Sequence, residues 1–85
     1  MKLVLTKRFR KDYKKLSIEI QKRTDLKLEL LINCSSHPSL RVKRVKKYRN
    51  IFEGSITDNY RFLFRVTANE YFIIRVGTHD ILNKL

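Results

Sequence analysis

The chain has 85 residues, enough for one domain (1–85) with a single hydrophobic core. Its 42% hydrophobic content, with five Phe and four Tyr, excludes a disordered tail, and two Gly with one Pro exclude a flexible or collagen-like segment. Twenty Lys and Arg against eight Asp and Glu leave a net charge of +12, which opposes compaction and persists most easily beside a polyanion. Nucleic acid and an acidic protein both satisfy that requirement. A membrane surface would need a basic amphipathic helix with a coherent apolar face, whereas here the charge is spread over every segment. No run approaches transmembrane length, and the short apolar start Leu3-Val4-Leu5 ends at once in Thr6-Lys7-Arg8, too soon for a signal peptide. The expectation is a soluble, cytoplasmic protein. The single cysteine, Cys34, excludes an intramolecular disulfide and a cysteine-based zinc site, and reads as a small buried filler in an apolar stretch.

Leu3-Val4-Leu5 predicts a short strand, followed by a basic helix over 7–16 whose Phe9, Tyr13 and Leu16 form one apolar stripe. Ser17 is a natural N-cap for a second helix reaching about Cys34, with Glu19 in its first turn and Ile20, Leu30, Leu31 and Cys34 buried. Leu26, Leu28, Leu30 and Ile32 also alternate as a strand would, but the segment is long, uninterrupted and poor in β-branched residues, which favours helix. Pro38 ends it, and His37 before the proline reads as structural.

A basic stretch over 40–47 leads to three strand-like segments, about 49–56, 60–66 and 71–76, joined by short polar turns. Gly77 is expected to break the last strand, with at most a short terminal helix over 79–85. Strict alternation puts Phe62, Phe64 and Val66 beside Phe72, Ile74 and Val76 on a core face. The opposite face then shows Arg61, Leu63 and Arg65 beside Tyr71, Ile73 and Arg75, with His79 just beyond the strand end. The predicted fold class is α+β: a two-layer β-α-α-β-β-β sandwich with a mostly antiparallel sheet and one open face.

No phosphate-binding glycine loop, zinc signature, serine–histidine–aspartate set or carboxylate dyad is visible, and no metal or other cofactor is implied. Arginines and a histidine on an open face suit phosphodiester chemistry. Arg clamps phosphate with a fork that is always charged, and His exchanges protons near neutrality. Arg44, Lys46, Lys47, Arg49, Arg65 and Arg75 are the candidate RNA-binding cations, and Tyr48 and Tyr71 the candidate platforms for stacked bases. Each has a plainer reading as a solvated face or a core aromatic. The segment Arg41 to Arg49 fits an acidic partner helix as well as it fits RNA.

Two motifs sharpen the choice. Asn59-Tyr60-Arg61-Phe62-Leu63-Phe64-Arg65-Val66 resembles the Tyr-Arg strand of the RelE/ParE toxin superfamily, and Arg75-Val76-Gly77-Thr78-His79-Asp80-Ile81-Leu82 resembles its C-terminal Val-Gly-Thr-His-Asp ending. His37-Pro38-Ser39-Leu40 is similar to the segment that introduces the family's basic stretch. The resemblance covers nearly the whole chain and implies a RelE/YafQ-like toxin of a type II toxin–antitoxin pair. It implies an mRNA interferase that inhibits translation by cutting mRNA on the ribosome, with 16S rRNA contacts, under the control of a cognate antitoxin. It implies catalytic roles for Arg61, as phosphate-stabilising cation, and His79, as general acid. The antitoxin is expected to cover the basic open face and meet Leu63 and Ile73.

The chain departs from the family pattern at two places. Glu53 and Ser55 stand near the family's strand lysines, one of which is proposed as general base, so that role falls to Lys46, Lys47, Arg49 or Glu53. Asn83 stands where the family has a terminal aromatic, which leaves stacking to Tyr48 or Tyr71. Two other readings stay open: a non-catalytic ParE-like toxin that poisons DNA gyrase, and a non-toxic basic RNA-binding domain.

Overall fold

A computed structural model describes residues 1–83. Strand β1 (Lys2–Leu5) leads into helices α1 (Lys7–Lys14) and α2 (Ile18–Asn33), then a 3₁₀ turn over Pro38–Leu40. Strands β2 (Lys43–Arg44), β3 (Ile51–Ser55), β4 (Tyr60–Val66) and β5 (Glu70–Thr78) follow, and a second 3₁₀ turn spans His79–Asn83. The expected terminal helix is therefore one short turn, and residues 84 and 85 of that expectation lie outside the described residues. The sheet order is β1-β5-β4-β3-β2, antiparallel except where β1 runs parallel to β5. This is the α+β architecture expected, with one extra two-residue strand drawn from the basic stretch.

Both helices start where the sequence signals. Thr6 is extended and its hydroxyl accepts the Phe9 N–H at 3.2 Å, while the Ser17 hydroxyl accepts the Ile20 N–H at 3.3 Å. Helix α1 stops short of Leu16 because the Lys15 and Leu16 amides bond three residues back, to Asp12 and Tyr13, which tightens its last turn. Phe9 is buried, and Tyr13 and Leu16 pack against the same core, so the predicted stripe is present. Helix α2 buries Thr24, Leu28 and Leu31, with Ile20 and Leu30 partly covered. Thr24 is tolerated there because its hydroxyl donates to the Ile20 carbonyl at 2.8 Å. Cys34 is exposed, not buried: it caps α2 with a non-helical backbone, and the chain has already turned off the packed face.

The strand alternation needs correction. Phe62 pairs with Val76 as expected, but the register shifts between Leu63 and Phe64, so Phe64 pairs with Ile73, Arg65 with Phe72 and Val66 with Tyr71. A bulge of this kind exchanges the faces of the residues beyond it. Tyr71 and Ile73 therefore join Phe9, Leu28, Leu31, Leu40, Ile56, Phe62, Phe64 and Val76 in the main core under the helices. Val66, at the strand end, is exposed. Gly77 does not break β5; it pairs with Arg61, and the strand continues to Thr78.

The face turned away from the helices carries a second, smaller apolar cluster. Ile51, Leu63 and Ile81 are buried there, with Val45, Tyr48, Ile74 and Leu82 packed around them. This cluster draws the C-terminal turn onto the sheet. Gly77 permits the approach, since a Cβ at that position would meet Ile81 Cγ2 at 2.8 Å. Leu63 and Ile73 are both fully buried within the fold, so neither is available to an antitoxin as expected.

Candidate functional site

Strand β4 is central in the antiparallel part of the sheet, and Arg61 sits near its start with Ser55 opposite on β3 and Gly77 opposite on β5. Arg61 is half-buried. Its Nη1 donates to the carbonyl oxygens of Thr57 and Tyr60, the latter at 3.1 Å. The β3–β4 turn is itself braced: the Thr57 hydroxyl accepts the amides of Asn59 and Tyr60, and the Ser55 hydroxyl donates to the Thr57 carbonyl, all at 3.2 Å. The guanidinium is thus held against a rigid turn.

Two clefts lie near the start of β4. One, of about 230 Å³, is lined by Arg41, Val42, Lys43, Glu53, Ser55 and Arg61. The other, of about 570 Å³, is lined by Asp58, Asn59, Tyr60, Thr78, His79 and Asp80. His79 is exposed and stands two residues after Gly77, at the start of the C-terminal turn. Arg61 on β4 and His79, just past the end of the neighbouring β5, therefore line separate clefts.

Glu53 is 4% exposed, with Oε1 3.5 Å from Lys43 Nζ. Lys43 reaches it because β2 pairs with β3 so that Lys43 stands opposite Glu53. Arg41 enters the same cleft from a left-handed backbone, φ 47°, which follows the Pro38–Leu40 turn. Non-glycine residues adopt that conformation at a cost of about 1 kcal/mol or more, and the surrounding turn holds it. Arg41 and Lys43 were visible in the sequence only as members of a basic run; their place beside Arg61 comes from strand pairing.

The remaining cations divide into two groups. Arg44, Lys46, Lys47, Arg49 and Arg65 are exposed. Arg44 lies over the Phe52 ring at 5.8 Å, and Lys47 over the Tyr48 ring at 5.7 Å. The loop that carries Lys46, Lys47 and Arg49 is anchored by Val45 and Tyr48 on the second apolar cluster, and by a Val45 N–H bond to the Ile51 carbonyl at 2.9 Å. Arg75 belongs elsewhere. Its Nε and Nη2 each donate to Asp12 at 2.9 Å, and the Val76 amide donates to the same carboxylate at 3.2 Å. That pairing raises the Arg75 pKa above its already high ordinary value. Arg75 is a tie between α1 and β5, so the expectation that it contacts RNA is not supported. Asp12, its partner, was unremarked in the sequence because it is one acid in a run of lysines and arginines.

Tyr71 is a core residue. It is 8% exposed, and its ring meets Phe64 edge-on with centroids 5.8 Å apart, which leaves no face for a base. Tyr48 is half-buried at the rim of the second cluster. His37 caps the Pro38–Leu40 turn, its Nδ1 accepting the Ser39 amide at 3.1 Å, in keeping with a structural role.

Neither a protein-family model nor a curated protein matches the chain by sequence. Comparison of folds is decisive. A chain of the RelB–RelE antitoxin–toxin complex from Methanococcus jannaschii is 27% identical, with a TM-score of 0.77 and 95% of each chain covered. YafQ from E. coli strain BL21(DE3) superposes with a TM-score of 0.80 over 94% of each chain at 15% identity. The chain has the fold of the RelE/ParE toxin superfamily. A YoeB/ParE toxin from Agrobacterium tumefaciens (TM-score 0.79, 19% identity, 93% of this chain and 99% of that one) lies in the same group. On this RelE/ParE-like fold, one cleft holds Arg61 with the buried Glu53 and another holds His79. Among the described residues, no helix is long and apolar enough to cross a membrane.

Proposed function

We propose that the chain is the toxin of a toxin–antitoxin pair, and that it acts as a metal-independent endoribonuclease which cuts mRNA on the ribosome and so inhibits translation. The observation that carries this reading is the β4–β5 register. It sets Gly77 opposite Arg61 and Thr78 opposite Tyr60, so that His79 follows directly at the end of β5. Arg61 is the cation that stabilises the developing phosphorane charge, because a guanidinium fork matches phosphate oxygens. His79 is the general acid that protonates the leaving 5′-oxygen. The exposed Arg44, Lys46, Lys47, Arg49 and Arg65 hold the RNA backbone and neighbouring ribosomal RNA, and Tyr48 is the remaining candidate for a stacked base.

The partner proposed for the free toxin is a cognate antitoxin. Support comes from the M. jannaschii RelB–RelE structure, and from the E. coli DinJ–YafQ toxin–antitoxin complex (TM-score 0.79, 15% identity). Acidic side chains laid over the Arg41–Arg49 segment would neutralise exposed cations rather than reach Leu63 or Ile73.

Expression in a bacterial host tests the reading directly. Growth arrest is expected, with new mRNA 5′ ends on ribosomes mapped by primer extension. His79→Ala and Arg61→Ala should each slow cleavage by roughly 10²–10⁴-fold. Full toxicity of both variants would sink the catalytic assignment. Inhibition of gyrase supercoiling without RNA cleavage would replace it with the gyrase reading.

A further inference from the structure

Helix α2 buries one side on the core and leaves an apolar strip on the other. Thr24, Leu28 and Leu31 face inward, whereas Ile18, Leu26 and Ile32 are 72%, 65% and 41% exposed. At about 100° per residue these three share one side of the helix, spread along a length of about 24 Å. A single exposed apolar residue needs no explanation, but a strip of three on one helix marks a surface for contact.

The charges around the strip select its occupant. Helix α2 carries Glu19, Asp25 and Glu29 against Lys22, Arg23 and Lys27, so it has no net charge on a chain of +12. Helix α1 has five bases against the single acid Asp12. A second copy of this chain is repelled by a face such as that of α1 and meets no such barrier at α2. Nucleic acid gains nothing from a neutral face.

Four of the six α2 charges are engaged within the chain. Arg23 pairs with Glu19 at 3.7 Å, Asp25 accepts the Tyr13 hydroxyl at 2.7 Å, and Lys27 Nζ donates to the Ser39 carbonyl at 2.9 Å. Lys22 and Glu29 are exposed, and among the described residues neither has an ion-pair or side-chain hydrogen-bond partner. They bracket Leu26, one turn before it and one turn after. Their separation along the axis is roughly 10 Å, beyond the spacing at which side chains on one helix meet.

We propose that α2 is a self-association surface, on which two copies of the chain pair antiparallel about a two-fold axis close to Leu26. Leu26 packs on Leu26 of the second copy, and the Ile18 end of each helix meets the Ile32 end of the other. Lys22 faces Glu29 of the second copy, and the two-fold axis repeats that pair. A parallel arrangement would set Lys22 on Lys22 and Glu29 on Glu29, so charge fixes the direction of pairing. One helix against one covers less than the ~800 Å² per partner of a standard interface, so the dimer is weak, with a Kd on the order of 100 μM. The pairing is independent of the endoribonuclease reading, because α2 lines neither the Arg61 cleft nor the His79 cleft.

Sedimentation equilibrium of the full-length protein, from about 5 μM to about 1 mM, is the test. The mass should rise from monomer towards dimer across that range. Leu26→Lys, at an exposed position, should keep the wild-type urea midpoint and weaken association at least about tenfold. Lys22→Glu and Glu29→Lys each set like charges together twice and should each weaken it by roughly 3–10-fold. The double variant Lys22→Glu with Glu29→Lys leaves the net charge unchanged and should return to within about twofold of wild type. A wild-type mass that stays monomeric throughout overturns the proposal, as does association that Leu26→Lys leaves intact. Failure of the double variant to recover overturns it as well, because only the antiparallel register predicts that rescue. Should Leu26→Lys lower the urea midpoint, the charge exchange alone decides.

Discussion

Two side chains on α1 show how a strongly basic chain spends its few acids. Asp12 gathers three donors, two from Arg75 and one from the Val76 amide, with the Arg75 and Asp12 side chains only 13% and 12% exposed. Removing one member of such a pair strands the other charge. Asp12→Ala is expected to lower stability by on the order of 3 kcal/mol, read from the urea midpoint, while Asp12→Leu combined with Arg75→Met should recover most of the loss. Asp25 serves Tyr13, whose hydroxyl donates to it at 2.7 Å. That hydrogen bond, with burial and the neighbouring charge, raises the Tyr13 pKa above 10. A raised folded-state value means that the bond's contribution is complete below pH 10 and is lost as pH rises through the folded value. Lys27, with a pKa lowered chiefly by burial, works in the opposite sense, because its desolvation cost disappears as it loses its proton. The comparison that isolates Tyr13 is therefore wild type against Tyr13→Phe: the stability difference between them should shrink above pH 10.

At the scale of elements, α1 and the bulge of β5 are one unit. Thr6 caps α1 through the Phe9 amide and also donates to the Ile73 and Ile74 carbonyls, at 2.9 and 3.1 Å, where the register shifts. Asp12 grips the same strand just beyond, at Val76. The helix thereby braces the irregularity that sets Gly77 opposite Arg61. Thr6→Ala removes a cap and a strand tie together. It should cost about 1–2 kcal/mol, whereas Thr6→Ser should retain most of the stability, as thermal unfolding of the two variants will show. The helix ends were legible because Ser17 and Thr6 are local signals acting on amides within three residues. The β5 bulge was not. Nothing in Tyr71 to Val76 marks where the pairing slips, because the slip depends on Thr6 and on the partner strand β4.

For the whole molecule, the net charge of +12 is distributed so that most cations are exposed. Binding to RNA should therefore fall steeply with added salt. Replacing Lys46 or Lys47 with alanine should reduce the slope of log K against log salt by about one for each phosphate no longer neutralised. A slope that both variants leave unchanged would remove the loop after β2 from the interface. Composition, helix positions, the run of three successive strands over 49–76 and the two motifs around Arg61 and His79 were determined by the sequence alone, because each rests on local spacing along the chain. The partition of cations was decided by tertiary structure: Arg75 was withdrawn into a tie with Asp12, while Arg41 and Lys43 were brought beside Arg61. The same holds for Tyr71, moved into the core, and for Glu53, set in the cleft that Arg61 lines. The physical reason is that a one-residue slip in strand pairing reverses which face a side chain occupies, and that slip is fixed by contacts more than sixty residues apart in the chain, from Thr6 and Asp12 to β5.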